Sequence, residues 1–210
     1  MKKIPVLLIH GGMTFHRYDD YLANLHQKSI DLSASHQSWK DKRLDEQLAD
    51  ICTIIRPQMP CKHNAQYIER SIRFERYLAL IQWPIILAWV SLWGIFLAQW
   101  LATNITKKEI IATYLICPPF DDSLPWEDLA GEFILPEDLS LIAKNSPWTR
   151  LFFSDDDPIV PPSQAEKYRT HLPRATHYNY PSKNWHFRIE IFPEFVSIVQ
   201  KDYEKYTRGV

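Results

Sequence analysis

The sequence predicts an α/β protein, a doubly wound and mainly parallel sheet of six strands with helices on both faces. Three observations carry this expectation. Short apolar runs that read as buried strands recur along the chain at 5–9, 53–55, 85–90, 110–116, 150–153 and 176–180. Helical patterns separate these runs, and alternation of strand with helix calls for parallel crossovers, which are right-handed. The 210 residues suffice for one such domain, spanning 1–210, with a sizeable core, and are too few for two.

Each element has its own justification. Pro5–Ile9 (PVLLI) is apolar without alternation, as expected of a strand covered on both faces. The lysines before it give the N-terminus a superficial likeness to a leader. The run is too short for one and His10-Gly11-Gly12 follows without a cleavage pattern, so a cytoplasmic protein is expected. Asp19–Leu25 reads as a short helix and Trp39–Ile51 as a longer one, before the strand Thr53–Ile55 and the helical pattern Ala65–Leu80. From Tyr77 to Leu101 no residue is charged, which is long enough to span a bilayer. Pro84, the polar Gln82, Ser91 and Gln99, and the β-branched pair Ile85-Ile86 divide that stretch into a buried strand, Ile85–Val90, and a buried helix, Leu92–Thr103. The remainder reads as strand Ile110–Ile116, short helix Pro136–Ala143, strand Arg150–Phe153, helix Ser163–His171, strand Thr176–Tyr180 and helix Glu190–Tyr206.

Bulk composition excludes several partners. A net charge of -1 recruits neither nucleic acid nor an anionic membrane surface. The three cysteines, Cys52, Cys61 and Cys117, lack metal-ligand spacing and fit a reducing compartment. One imbalance stands out: 5 glycines against 8 tryptophans. Ordinary usage of about 7% would supply roughly 15 glycines to a chain of this length.

In a doubly wound sheet, chemistry collects at the carboxyl ends of the strands. The first strand ends in His10-Gly11-Gly12-Met13, where glycines allow a sharp turn and leave N–H groups free for an anion. Such a pair also serves any strand-to-loop turn. The third strand ends at Ser91, followed at once by an apolar helix; this is where a nucleophile elbow would sit, and equally where a serine would cap a helix. After the fifth strand comes Ser154-Asp155-Asp156-Asp157-Pro158-Ile159-Val160-Pro161, a carboxylate run stiffened by proline. After the sixth comes Asn184-Trp185-His186-Phe187, a loop histidine. Taken singly each has a bland reading. Together they place Ser, Asp and His in that chain order, each behind a different strand.

These segments, LLIHGG at 7–12, SLWGIFLAQWLA at 91–102, SDDDPIVP at 154–161 and NWHF at 184–187, resemble the α/β-hydrolase superfamily. The likeness is to its small single-domain serine hydrolases of the retinoblastoma-binding serine hydrolase type, with little lid, and runs from Lys3 to about Tyr203. It implies an esterase-like enzyme that cleaves a small ester, thioester or amide through an acyl-enzyme. It further implies a nucleophile at Ser91, a base at His186 and an acid at Asp157, with Asp156 as the alternative acid. Backbone N–H groups of Leu92 and of Gly12 or Met13 would form the oxyanion hole. Phe120 and Trp126, after the fourth strand, are expected pocket walls. No metal or organic cofactor is implied, and no nucleic-acid or membrane partner.

The family's elbow reads Gly-x-Ser-x-Gly, and here Trp89 and Trp93 stand at the glycine positions, while Trp185 precedes His186. Strand and helix nearly touch at an elbow, so two indoles are expected to crowd it. One explanation is an inactive hydrolase-like domain that acts by binding. The other is a gene in which UGA encodes glycine but is read as tryptophan, since GGA and UGA differ by one base. The intact mass of protein from its native source separates the two.

Overall fold

The computed structural model describes residues 3–9, 11–28, 38–61, 63–125 and 127–209. His10 and Trp126 lie outside the described residues. The elements run β1 (Ile4–Ile9), α1 (Tyr18–Gln27), α2 (Lys42–Gln47), β2 (Cys52–Ile55), α3 (Tyr67–Leu80), β3 (Ile85–Val90), α4 (Leu92–Thr103), β4 (Ile110–Ile116), α5 (Ser140–Asn145), β5 (Trp148–Ser154), α6 (Pro162–His171), β6 (Thr176–Tyr180) and α7 (Pro193–Arg208). All six strands pair in parallel, in the order β2-β1-β3-β4-β5-β6. The chain steps outward from β1 to β2, then returns across β1 to β3 and continues to the far edge. That reversal makes a topological switch point between β1 and β3.

The register shows why both faces are covered. Ala88, Tyr114 and Arg150 are partners across β3, β4 and β5, so their side chains share one face, and Trp89, Leu115 and Leu151 share the other. Tyr114 and Arg150 both bond to Asp202 of α7, whereas Trp89 packs on Phe74 of α3 and Phe96 of α4. Thus α7 covers one face, and α3 with α4 the other. With every residue of β1, β3 and β4 buried, the central strands carry apolar side chains on both sides. The uncharged stretch 77–101 divides between the end of α3, β3 and α4; no helix among the described residues is long and apolar enough to cross a membrane.

Three helices begin three or more residues later than the periodicity predicts. The pattern from Trp39 yields only Lys42–Gln47, because the Trp39 ring is inserted edge-on against Phe192 and the Trp39 backbone N–H bonds Ile189 O across the molecule, which holds Trp39 out of a helix. The helix expected at Pro136–Ala143 forms at Ser140–Asn145, where the Asp138 carboxylate accepts from the Ser140 N–H and hydroxyl. The last helix starts at Pro193, a residue suited to a first helical position because its missing N–H would have no helical acceptor there.

Candidate functional site

Ser91 follows β3 directly, with φ 58 and ψ −133. A serine with positive φ is strained, and the strain persists because its neighbours fix it. Its N–H bonds Ile116 O at 2.8 Å, and its own carbonyl accepts from the Gly94 N–H at 2.6 Å. Gly94 is required by a close approach, since a Cβ there would sit 2.7 Å from Pro118 Cβ. Across the switch point Gly11 comes so near that a Cβ would lie 3.3 Å from Ser91 Cβ.

The two indoles do not crowd the serine as expected. Trp89 turns toward the α3 and α4 face, stacked on Phe96 at 5.2 Å and edge-on to Phe74 at 4.9 Å. Trp93 lies edge-on to Trp89 and receives the Arg70 guanidinium 3.3 Å above its ring. The arrangement has a cost. Trp89 Nε1, Trp93 Nε1 and two nitrogens of Arg70 are buried without a hydrogen-bond partner, and burial lowers the Arg70 pKa to about 9.

Asp157 and His186 are brought together. Asp157 lies at the end of β5, 3% exposed, and its Oδ1 accepts from the N–H groups of Ile159 and Val160 at 2.9 Å each. Its Oδ2 accepts from His186 Nδ1 at 2.8 Å, a bond that leaves Nε2 facing away from the carboxylate. Asp156 makes no bond to His186. It accepts instead from Ser154 Oγ, Ser182 Oγ and the N–H groups of Lys183 and Trp185, and so ties the histidine loop to β5. Burial works against the Asp156 charge, yet those four donors outweigh it and hold the carboxyl well below the usual range. Trp185, 57% exposed, has φ 64, so the loop passes through a glycine-favouring conformation just before His186.

Ser91 and His186 line one cleft of about 310 Å³ with Gly11, Gly12, Met13 and Glu127. Among the described residues no hydrogen bond occupies the N–H groups of Gly12, Met13 or Leu92. No bond joins Ser91 Oγ to His186 in this state; Nε2 instead meets Cys117 Sγ at 3.7 Å. Cys117 ends β4 one residue beyond the Val90–Ile116 pair, so it stands beside Ser91, and it too has positive φ, 42. Burial opposes the His186 imidazolium, but the charge and hydrogen bonds of Cys117 and Asp157 prevail and push its pKa up to about 10. Beside a neutral thiol, the Asp157 hydrogen bond and the Asp157 charge are what favour the imidazolium. Phe120 does not line this cleft: its ring packs on Tyr168 at 5.0 Å and on His171 at 4.8 Å. A larger cleft of about 450 Å³ beside β1, lined by Ile9, Arg56, Met59 and Trp93 among others, offers no nucleophile or acid–base pair.

The sequence reading missed the Cys117 contact and the anchoring role of Asp156. A signal for the first was present: residues that end neighbouring parallel strands become neighbours. No protein-family model matches the chain, and no curated protein matches it in sequence. Solved structures do resemble it. The ydeN gene product of B. subtilis superposes with a TM-score of 0.75 at 18% identity, over 97% of this chain and 100% of that one. A serine hydrolase involved in carbazole degradation, CarC, gives 0.61 at 16% identity, over 97% and 92%. An esterase from Pyrococcus furiosus gives 0.59 at 15%, over 97% and 83%. At these identities the likeness concerns architecture alone, and the chain has the α/β-hydrolase fold, built on a six-stranded parallel sheet.

Proposed function

We propose that the protein is a serine hydrolase that cleaves small esters, thioesters or amides, with Ser91 as nucleophile, His186 as base and Asp157 as the acid that orients it. The observation that carries the reading is the strained Ser91 in one cleft with a histidine whose Nδ1 bonds a buried carboxylate at 2.8 Å. His186 Nε2 would take the Ser91 proton as the oxygen attacks the carbonyl, while Asp157 stabilises the imidazolium that forms. The N–H groups of Leu92 and of Gly12 or Met13, free of other bonds, would receive the oxyanion, each worth about 2.7–4 kcal/mol of barrier in comparable sites. Water then releases the acyl group. For this step His186 must leave Cys117 and turn to Ser91.

Names of structural neighbours agree with this class: one is called a serine hydrolase and another an esterase. A reading as an inactive binding domain rests on Trp89 and Trp93 obstructing the elbow. Against it, both indoles are packed behind the serine, in the core. A fluorophosphonate probe tests the proposal. Labelling and turnover of a nitrophenyl ester are expected, both lost in Ser91→Ala, with a fall on the order of 10⁶ in kcat. A folded wild-type chain that neither labels nor turns over ester overturns it.

A further inference from the structure

The proposed reaction leaves one buried group unused. Cys117 is fully buried, and its sulfur lies 3.7 Å from the nitrogen that must act as base. Cys117, Asp157 and His186 are a cluster of metal-ligand types among the described residues, with their ligand atoms within 4.8 Å of one another.

We infer that this cleft holds an inhibitory zinc site, with Cys117 Sγ and His186 Nε2 as protein ligands. Geometry is the first support. Zn–S of about 2.3 Å and Zn–N of 2.0–2.1 Å at a tetrahedral angle separate the two ligand atoms by about 3.6 Å. The observed 3.7 Å therefore admits a shared ion without movement of the backbone. The second support is the position of Asp157. It holds Nδ1 by a 2.8 Å bond, as a carboxylate does behind a metal-bound histidine, and so presents the Nε2 lone pair to the metal. Third, His186 lines an open cleft, which gives a bound ion access to water for its remaining positions.

The binding step balances simply. The Cys117 thiol gives up its proton to solvent, a sulfur–metal bond and a nitrogen–metal bond form, and no electron is transferred. Zinc on Nε2 leaves the histidine no lone pair for the Ser91 proton. The blocking effect rests on the hydrolase reading; the binding does not.

Metal-free full-length protein titrated with Co²⁺ tests the site independently of activity. One equivalent is expected to bind with a thiolate-to-cobalt charge-transfer band, and Zn²⁺ should displace it. Cys117→Ala and Cys117→Ser should each lose the band and the binding, and Cys61→Ala should keep both. Asp157→Asn should weaken affinity roughly 10–100-fold. Equimolar Zn²⁺ should also block fluorophosphonate labelling, with recovery on adding a chelator. A band that survives in folded Cys117→Ala or disappears in Cys61→Ala overturns the site, as does wild-type protein that binds no metal. Binding without any probe labelling leaves the site standing and removes the hydrolase reading.

Discussion

The turn that carries Ser91 and the loop that carries His186 face one cleft, yet they are held by different means. Behind His186 almost every polar group is paired: Asp157 has three donors and Asp156 four. Behind Ser91 the support is shape. A strained backbone is held by two close glycines and by stacked aromatic rings, and four indole and guanidinium nitrogens there are left without partners. Directional bonds set an angle at low strain, whereas packing sets a position and tolerates unsatisfied neighbours. The first arm should therefore fail by losing catalysis, and the second should gain stability when relieved.

The sharpest test is Asp157→Asn. It keeps the shape and spoils the histidine's tautomer, so kcat should fall by about 10⁴ with little change in the urea midpoint. Next comes Asp156→Ala, which releases Ser182 and the Lys183 and Trp185 N–H groups. A loop displaced by about 1 Å should cost on the order of 10² in kcat. The same change should cost about 1 kcal/mol of stability, a value already discounted for solvent screening. Its pH dependence has a definite sign. The folded pKa of Asp156 is depressed, so its contribution is complete above the unfolded value of about 3.9 and disappears as pH falls through the folded value. The stability difference between wild type and Asp156→Ala should therefore be constant above about pH 5, begin to shrink below about pH 4 and close only as pH falls through the depressed folded value. The smallest effect is expected behind the serine. Arg70→Met removes a buried cation with two unpaired nitrogens and should raise stability by about 1 kcal/mol, with ester turnover unchanged within a few fold. A loss of stability there would mean that the stacking of Arg70 on Trp93 outweighs its missing bonds.

Much of this was legible in the residues, for reasons that also show where legibility ends. Apolar runs mark buried strands whatever their neighbours, and all six strands fall where expected to within two residues at either end, although the edge strand β6 (THYNY) has no buried residue and corrects the expectation of a buried run there. The order Ser, Asp, His needs only strand ends, and strand ends are local. Helix starts at 42, 140 and 193 depended on a ring inserted from afar, a turn closed by the Asp138 carboxylate and a proline, which periodicity does not weigh. The choice between Asp156 and Asp157 was open because adjacent residues differ only in direction: Asp156 turns to Ser182, and Asp157 turns to His186. The direction of the indoles was likewise open. A residue in a strand faces one side or the other, and register with β4 sends Trp89 into the core.

The chain order of the cleft has a consequence for biosynthesis. β1 is made first, but its partner β3 emerges some eighty residues later, and His186 is supplied by the last loop before the final helix. Contacts this distant in sequence are slow to form, and a domain of this kind closes late. Until the ribosome has released the region beyond β6, Asp157 has no histidine and the central strands lack the cover of α7. A nascent chain thus carries Ser91 through close to half of its synthesis before His186, the last residue that the proposed reaction requires, has been made, and its sheet is incompletely covered throughout that interval.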